Sequence, residues 1–228
     1  MNTQDHISQA YNDELEEVRS KVLTMGGLVE DHFQGATKAL LKGDTELASD
    51  IAKYDYKVNA LEVEIDDDCT SLIARRQPTA GDLRNVFAVI KIVTDLERIG
   101  DESEKIASFV TELSVDTKSM TIYNSLKSMI KTAREILSAA LDCYARLDAK
   151  QALEVAKLDE DLDSNFNDLK RTLITYLIED VKNIEDFIRV MWCARSIERV
   201  GDHAKNICQY VVYVAHGNDI RHITDQKD

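Results

Sequence analysis

Asp95-Leu96-Glu97-Arg98-Ile99-Gly100-Asp101 returns 101 residues later as Ser196-Ile197-Glu198-Arg199-Val200-Gly201-Asp202. Each copy sets a Glu and an Asp four residues apart, which on a helix puts both carboxylates on one face, a turn from each other. At 100° per residue, Glu97, Asp101 and Glu104 share an arc with Val86, Ile90 and Val93. Arg84, Lys91, Arg98 and Glu102 fall opposite, as a solvated face would. In the second copy Glu198 and Asp202 share an arc with Phe187, Met191 and Ala194, with Arg199 outside it. The pattern therefore predicts two helices that each carry an acid pair at a buried seam.

A carboxylate withdrawn from water must be protonated, paired or metal-bound. Two readings stay open: an inter-helix salt bridge to Arg or Lys, or a bound cation. Further acids align with each pair. Asp55, Asn59, Glu62 and Asp66, spaced 4, 3 and 4, form a polar row beside an apolar stripe, and in the second half Asp55 maps onto Asp159 and Asn59 onto Asp163. Two acidic clusters are expected: Asp55, Asn59, Glu62, Asp66, Glu97, Asp101 and Glu104; and Asp159, Asp163, Glu198 and Asp202. Oxygen donors without thiolate suit Mg, Ca, Mn or Fe. The Glu-x-x-His signature of di-iron bundles is missing, because Gly100 and Gly201 stand three residues after Glu97 and Glu198. Those glycines allow close helix approach or leave room for an ion.

The bulk numbers agree with helices. The 228 residues include one Pro and eight Gly, 44% are hydrophobic and 31% charged, and 28 Lys plus Arg stand against 42 Asp plus Glu, a formal charge of −14. That charge disfavours nucleic acid and anionic membranes as partners. Cys69, Cys143, Cys193 and Cys208 show no C-x-x-C spacing and read as core filler with reduced thiols. With neither a signal-peptide pattern nor a membrane-length apolar run, the chain reads as cytoplasmic.

In chain order, a loose N-terminus (1–11) precedes a helix ending at Lys42, stopped by Gly43. Asp44-Thr45 opens a second helix to Arg76. The sole proline, Pro78, breaks the chain, and Thr79 caps a third helix reaching Leu113. The pattern then repeats: a fourth helix over Asp116–Arg146, a fifth opened by Asp148, a turn at Val181-Lys182-Asn183, a sixth helix, and a loose tail (216–228). The expected fold is all-α, six long helices in two tandem, quasi-symmetric three-helix bundles, 12–114 and 115–215, sharing an interface.

Other chemistry is weakly signalled. His203 follows Asp202, but its copy is Glu102, so a duplicated histidine mechanism is excluded and a surface role is expected. There is no Walker loop, nucleophile elbow or dinucleotide turn. Trp192 replaces Lys91 of the first copy and reads as an outward-facing anchor. Arg75, Arg76 and Arg84 read as charges at a helix end.

With Met25-Gly26-Gly27 and Arg76-Gln77-Pro78-Thr79-Ala80-Gly81-Asp82-Leu83-Arg84, the paired motifs resemble the PhoU family of phosphate-transport accessory proteins over nearly the whole chain. The resemblance implies two three-helix bundles, a homodimer and metal clusters at Glu/Asp-x-x-x-Asp motifs, here Glu97 and Asp101, Glu198 and Asp202, and Asp159 and Asp163. Asn59 departs from the acid at the matching position of the first unit, where Glu62 or Asp66 would compensate. It also implies a non-enzymatic negative regulator of phosphate uptake and of the phosphate-starvation (Pho) regulon. That regulator would link the ATPase subunit of the phosphate ABC transporter (PstB-like) to a PhoR-like sensor kinase. The ion (Mg, Mn, Fe, Zn or Ca) is not specified. The competing class is a metal-dependent carboxylate-bundle hydrolase or redox protein.

Overall fold

The structure, a computed structural model, describes residues 3–53, 56–113, 120–179 and 181–217. Its helices are α1 (Thr3–Lys42), α2 (Thr45–Ile51), α3 (Tyr56–Arg76), α4 (Ala80–Glu112), α5 (Met120–Arg146), α6 (Ala149–Lys157), α7 (Asp159–Glu179) and α8 (Ile184–His216), with a 3-10 turn over Val181–Asn183. No strand occurs among the described residues. The all-α expectation holds, with six helical segments if α2–α3 and α6–α7 are each counted as one broken rod.

Those breaks correct the sequence reading, which ran the second helix unbroken from Thr45 to Arg76. The turn at Ala52–Lys53 and the cap at Leu158 interrupt both copies. The short leading segments bury Ala48, and Ala149, Ala152 and Val155, against the bundle. The break seats these short segments on the bundle and lets α7 start at Asp159. Asp44 and Asp148 do open the paired segments, accepting from Leu47 N–H at 3.0 Å and Gln151 N–H at 2.9 Å. Gly43 adopts φ +64, the left-handed turn that ends α1. Thr79 occupies the N-cap of α4 without a side-chain cap bond.

The N-terminal segment differs too, since α1 already runs from Thr3 and buried Tyr11 donates its hydroxyl to Asp82 O at 2.9 Å. Asp116, expected to begin the fourth helix, lies outside the described residues, as does the tail beyond Gly217.

The two repeats meet through α4 and α8, the most extensive helix pair among the described residues. Four contacts give their direction: Arg84 over the Tyr213 ring, Asp95 to His203, Glu102 to Arg199, and Glu112 to Arg189. Residue numbers rise along α4 as they fall along α8, so the helices run antiparallel. Their midpoint sets Ile99–Gly100 against Val200–Gly201. Leu96, Ile99, Ile197 and Val200 are fully buried there, each contributing about 1.5–3 kcal/mol of apolar transfer. The repeated motif thus forms the centre of the fold, with its acids on the flanks where α3 and α7 pack.

Candidate metal centre

On the second-repeat side, α7 delivers Asp159 from its first turn and Asp163 one turn later, and α8 delivers Asp202. One oxygen from each lies within 4.8 Å of the others, the one such acid grouping among the described residues. Oxygens ligating one hard cation at about 2.0–2.6 Å stand at most about 4–5 Å apart, so the three are within the span that one ion bridges. Gly201 makes the approach possible: a Cβ there would overlap Leu162 Cδ2 and sit 3.2 Å from Asp159 Oδ1. The close-approach role expected for this glycine is therefore met.

The electrostatics are incomplete in a specific way. Asp159 is 0% exposed, and Lys205 Nζ donates to its Oδ2 at 2.8 Å, while Oδ1 has no hydrogen-bond partner. Glu198, also buried, accepts from Arg195 on one oxygen, and its Oε2 is likewise unpartnered. Burial, then the Asp202 charge, pushes the Glu198 carboxyl up to about 7 against the pull of Arg195. Burial, then neighbouring Asp159, also raises Asp163 and Asp202. Burial alone would depress Lys205, yet the bond to Asp159 and the surrounding acids raise it. Four carboxylates thus face two cations, with two buried oxygens unsatisfied, a donor set that fits a hard divalent ion.

Sequence reasoning missed both counter-cations, although the spacing held them: Arg195 lies three residues before Glu198 and Lys205 three after Asp202, on the same side of α8. Their copies in the first repeat are Thr94 and Glu104, so the first cluster lacks this internal neutralisation. There Glu62 is half-buried and its carboxyl is raised by burial, then by Asp66, with Asp101 adding and Arg98 opposing. Burial and Asp67 raise Asp66. Glu97, with 20% of its side chain exposed, has Arg98 Nε 3.6 Å from Oε2. Asp101 and Glu104 are half-buried and Asn59 is exposed. Asp55 lies outside the described residues. The structure thus brings α3 acids toward α4 acids without gathering three of their oxygens within 4.8 Å among the described residues.

Two expectations are corrected at the seam between the repeats. Glu102, placed on a solvated face, is 2% exposed and held by Arg199 Nε at 3.1 Å and Lys105 Nζ at 3.0 Å. His203, expected at the surface, has only 15% of its side chain exposed and donates Nδ1–H to buried Asp95 at 2.8 Å, with Asn206 donating to the same oxygen at 3.1 Å. Periodicity describes one helix alone, and the packing of α8 on α4 buries a second face. Arg75 and Arg76 also do more than end a helix, since Arg76 bonds Glu14 at 2.8 Å and Arg75 approaches it at 3.7 Å. The four cysteines are buried thiols and Trp192 is 55% exposed, as expected.

No helix among the described residues is long and apolar enough to cross a membrane. The PhoU domain family matches the chain twice, over residues 22–110 and 126–211. A phosphate-specific transport system accessory protein PhoU homolog from Pseudomonas putida is 44% identical over 96% of this chain and 85% of its own length. The crystal structure of PhoU from Pseudomonas aeruginosa superposes with a TM-score of 0.87 at 40% identity, covering 91% of this chain and 100% of that one. The phosphate transport system regulatory protein PhoU from Streptococcus pneumoniae superposes at 0.84 and 28% identity, covering 92% and 99%.

Proposed function

Since this chain belongs to the PhoU family, we propose that it is a non-enzymatic, cytoplasmic negative regulator of phosphate uptake and of the phosphate-starvation response. It acts by contact, as a homodimer, between a phosphate transporter's ATPase subunit and a PhoR-like sensor kinase. The relatives named above are an accessory and a regulatory protein of phosphate transport, which supports this reading.

The observation that carries the metal half of the proposal is the pair of orphaned buried oxygens, Asp159 Oδ1 and Glu198 Oε2, beside the convergence of Asp159, Asp163 and Asp202. Asp159, Asp163 and Asp202 would hold the ion and Glu198 would stand next to it. The ion would supply positive charge that pins α7 to α8. In the first repeat, Glu62, Glu97 and Asp101, beside Asn59, would form the quasi-equivalent site. Arg195 and Lys205 offset part of the acid charge of the second cluster, so an ion there would brace helices that also pack through their apolar faces. The hydrolase or redox alternative has no supporting group: no histidine enters the acid cluster among the described residues, and His203 is committed to Asp95.

Protein purified without chelator is expected to carry divalent or iron-type metal and to melt lower after chelation, and D159N/D202N should lose that response. A melting temperature indifferent to metal would leave only the salt-bridge reading. For the regulatory half, deletion in the host should derepress phosphate-starvation genes at high phosphate, and unchanged expression would refute it.

A further inference from the structure

Away from both acidic clusters, α1 and α5 run antiparallel and separate along their length. They touch at Gly26, where a Cβ would stand 2.6 Å from Leu141 Cδ2. Beside Phe33 and Leu137 a pocket of about 140 Å³ lies between them, and toward Leu41 a separate, open groove of about 710 Å³ is lined by Leu41 and the exposed face of α5. Leu41 and buried Ile130 supply apolar wall there. The volume lies in the range of small-molecule sites, which form between helices of bundles.

The groove is electrically polarised. Lys127, Lys131 and Arg134 line it at i, i+4 and i+7, a stripe about 10 Å long on one face of α5. Asn124 and Ser128 add neutral donors at the lysine end, and Glu30 and Glu135 stand toward the other. Lys131 lies 3.7 Å from Glu135, whereas Lys127 and Arg134 have no ion pair among the described residues. In a chain of net charge −14, a groove lined by three cations and two carboxylates is locally positive. Lysines bind phosphate as mobile point charges, the guanidinium in bidentate fashion.

We propose that this groove binds a nucleoside diphosphate or triphosphate. The phosphates lie along Lys127 and Lys131 with Asn124 and Ser128 donating to them. The base lies across the groove on the apolar wall of Leu41 and Ile130, and Glu135, one turn beyond Lys131, accepts from sugar hydroxyls. The role proposed for the groove is binding alone. It is independent of the metal reading, because no residue of the groove belongs to either acid cluster.

The test titrates a fluorescent N-methylanthraniloyl ADP into the full-length, chelator-treated protein. Saturable binding is expected, competed by ADP and at least tenfold less well by pyrophosphate, with K127Q/K131Q weakening it at least tenfold while its melting temperature stays at the wild-type value. D159N/D202N should bind as wild type. Absence of saturable binding up to millimolar concentrations, undiminished binding by K127Q/K131Q, or pyrophosphate competing as well as ADP would each overturn the assignment.

Discussion

Replacing Gly201 with Ala isolates the close approach of α7 and α8. In a helix interior, Gly→Ala by itself is stabilising by about 0.5–1 kcal/mol. Gly27, exposed in the middle of α1 with nothing within 4 Å of where a methyl would stand, should show that gain undiluted. At Gly201 the same methyl overlaps Leu162 Cδ2 and stands 3.2 Å from Asp159 Oδ1. Leu162 and Asp159 are both 0% exposed, so neither can swing into solvent, and overpacking of this kind costs about 1–3 kcal/mol. The net expectation for G201A is a loss of roughly 1–2 kcal/mol, so the two substitutions differ in sign. For a chain of this size, about 2–4 °C per kcal/mol, calorimetry should find G27A melting roughly 1–4 °C above wild type and G201A roughly 2–8 °C below it. G201A should also blunt any metal-dependent rise in melting temperature, because the α7 acids are displaced from Asp202. A G201A protein as stable as G27A would refute the claim that this glycine sets the helix spacing.

Lys205→Met should remove the one bonded cation from fully buried Asp159. Breaking a buried pair costs about 3–5 kcal/mol, and partly exposed Lys205 argues for the lower end; calorimetry in chelator should show the loss and added divalent metal should recover part of it. His203→Ala leaves Asp95 with Asn206 alone and should cost about 1–3 kcal/mol in denaturant titration, whereas a truly surface histidine would cost nothing measurable. The Arg76 hydrogen bond, against a smaller opposing effect of burial, holds the Glu14 carboxyl below its usual range. A depressed folded value means that its contribution is present above the unfolded value, near pH 4.3, and fades as pH falls through the folded one. Wild type should therefore exceed E14Q in stability at neutral pH, with the curves converging in acid; a constant gap down to pH 2 would contradict the pairing.

A periodicity encodes the neighbours of a residue at i+3 and i+4, and that sets what could be read before the helices were packed. The duplicated motif, the 3.6-residue spacing of apolar side chains and the Asp44 and Asp148 caps are local in this sense, and all of them reappear in the folded chain. The same arithmetic places Asp159, Asp163 and Asp202 at a seam, and the backbone gathers their oxygens. Breaks at Ala52–Lys53 and Leu158 carry no proline or glycine to announce them, since they accompany the packing of the short segments' buried residues on the bundle. Glu102 and His203 escape for a related reason. Their side chains point away from the first seam, and only the antiparallel pairing of α4 with α8 covers them. The helices, their duplication and the residues that share a face thus follow from the chain alone, because the geometry of a single helix dictates them. Which second face is buried, which cation meets which acid, and which carboxylate oxygens are left without a partner are settled only by packing, because burial belongs to pairs of helices.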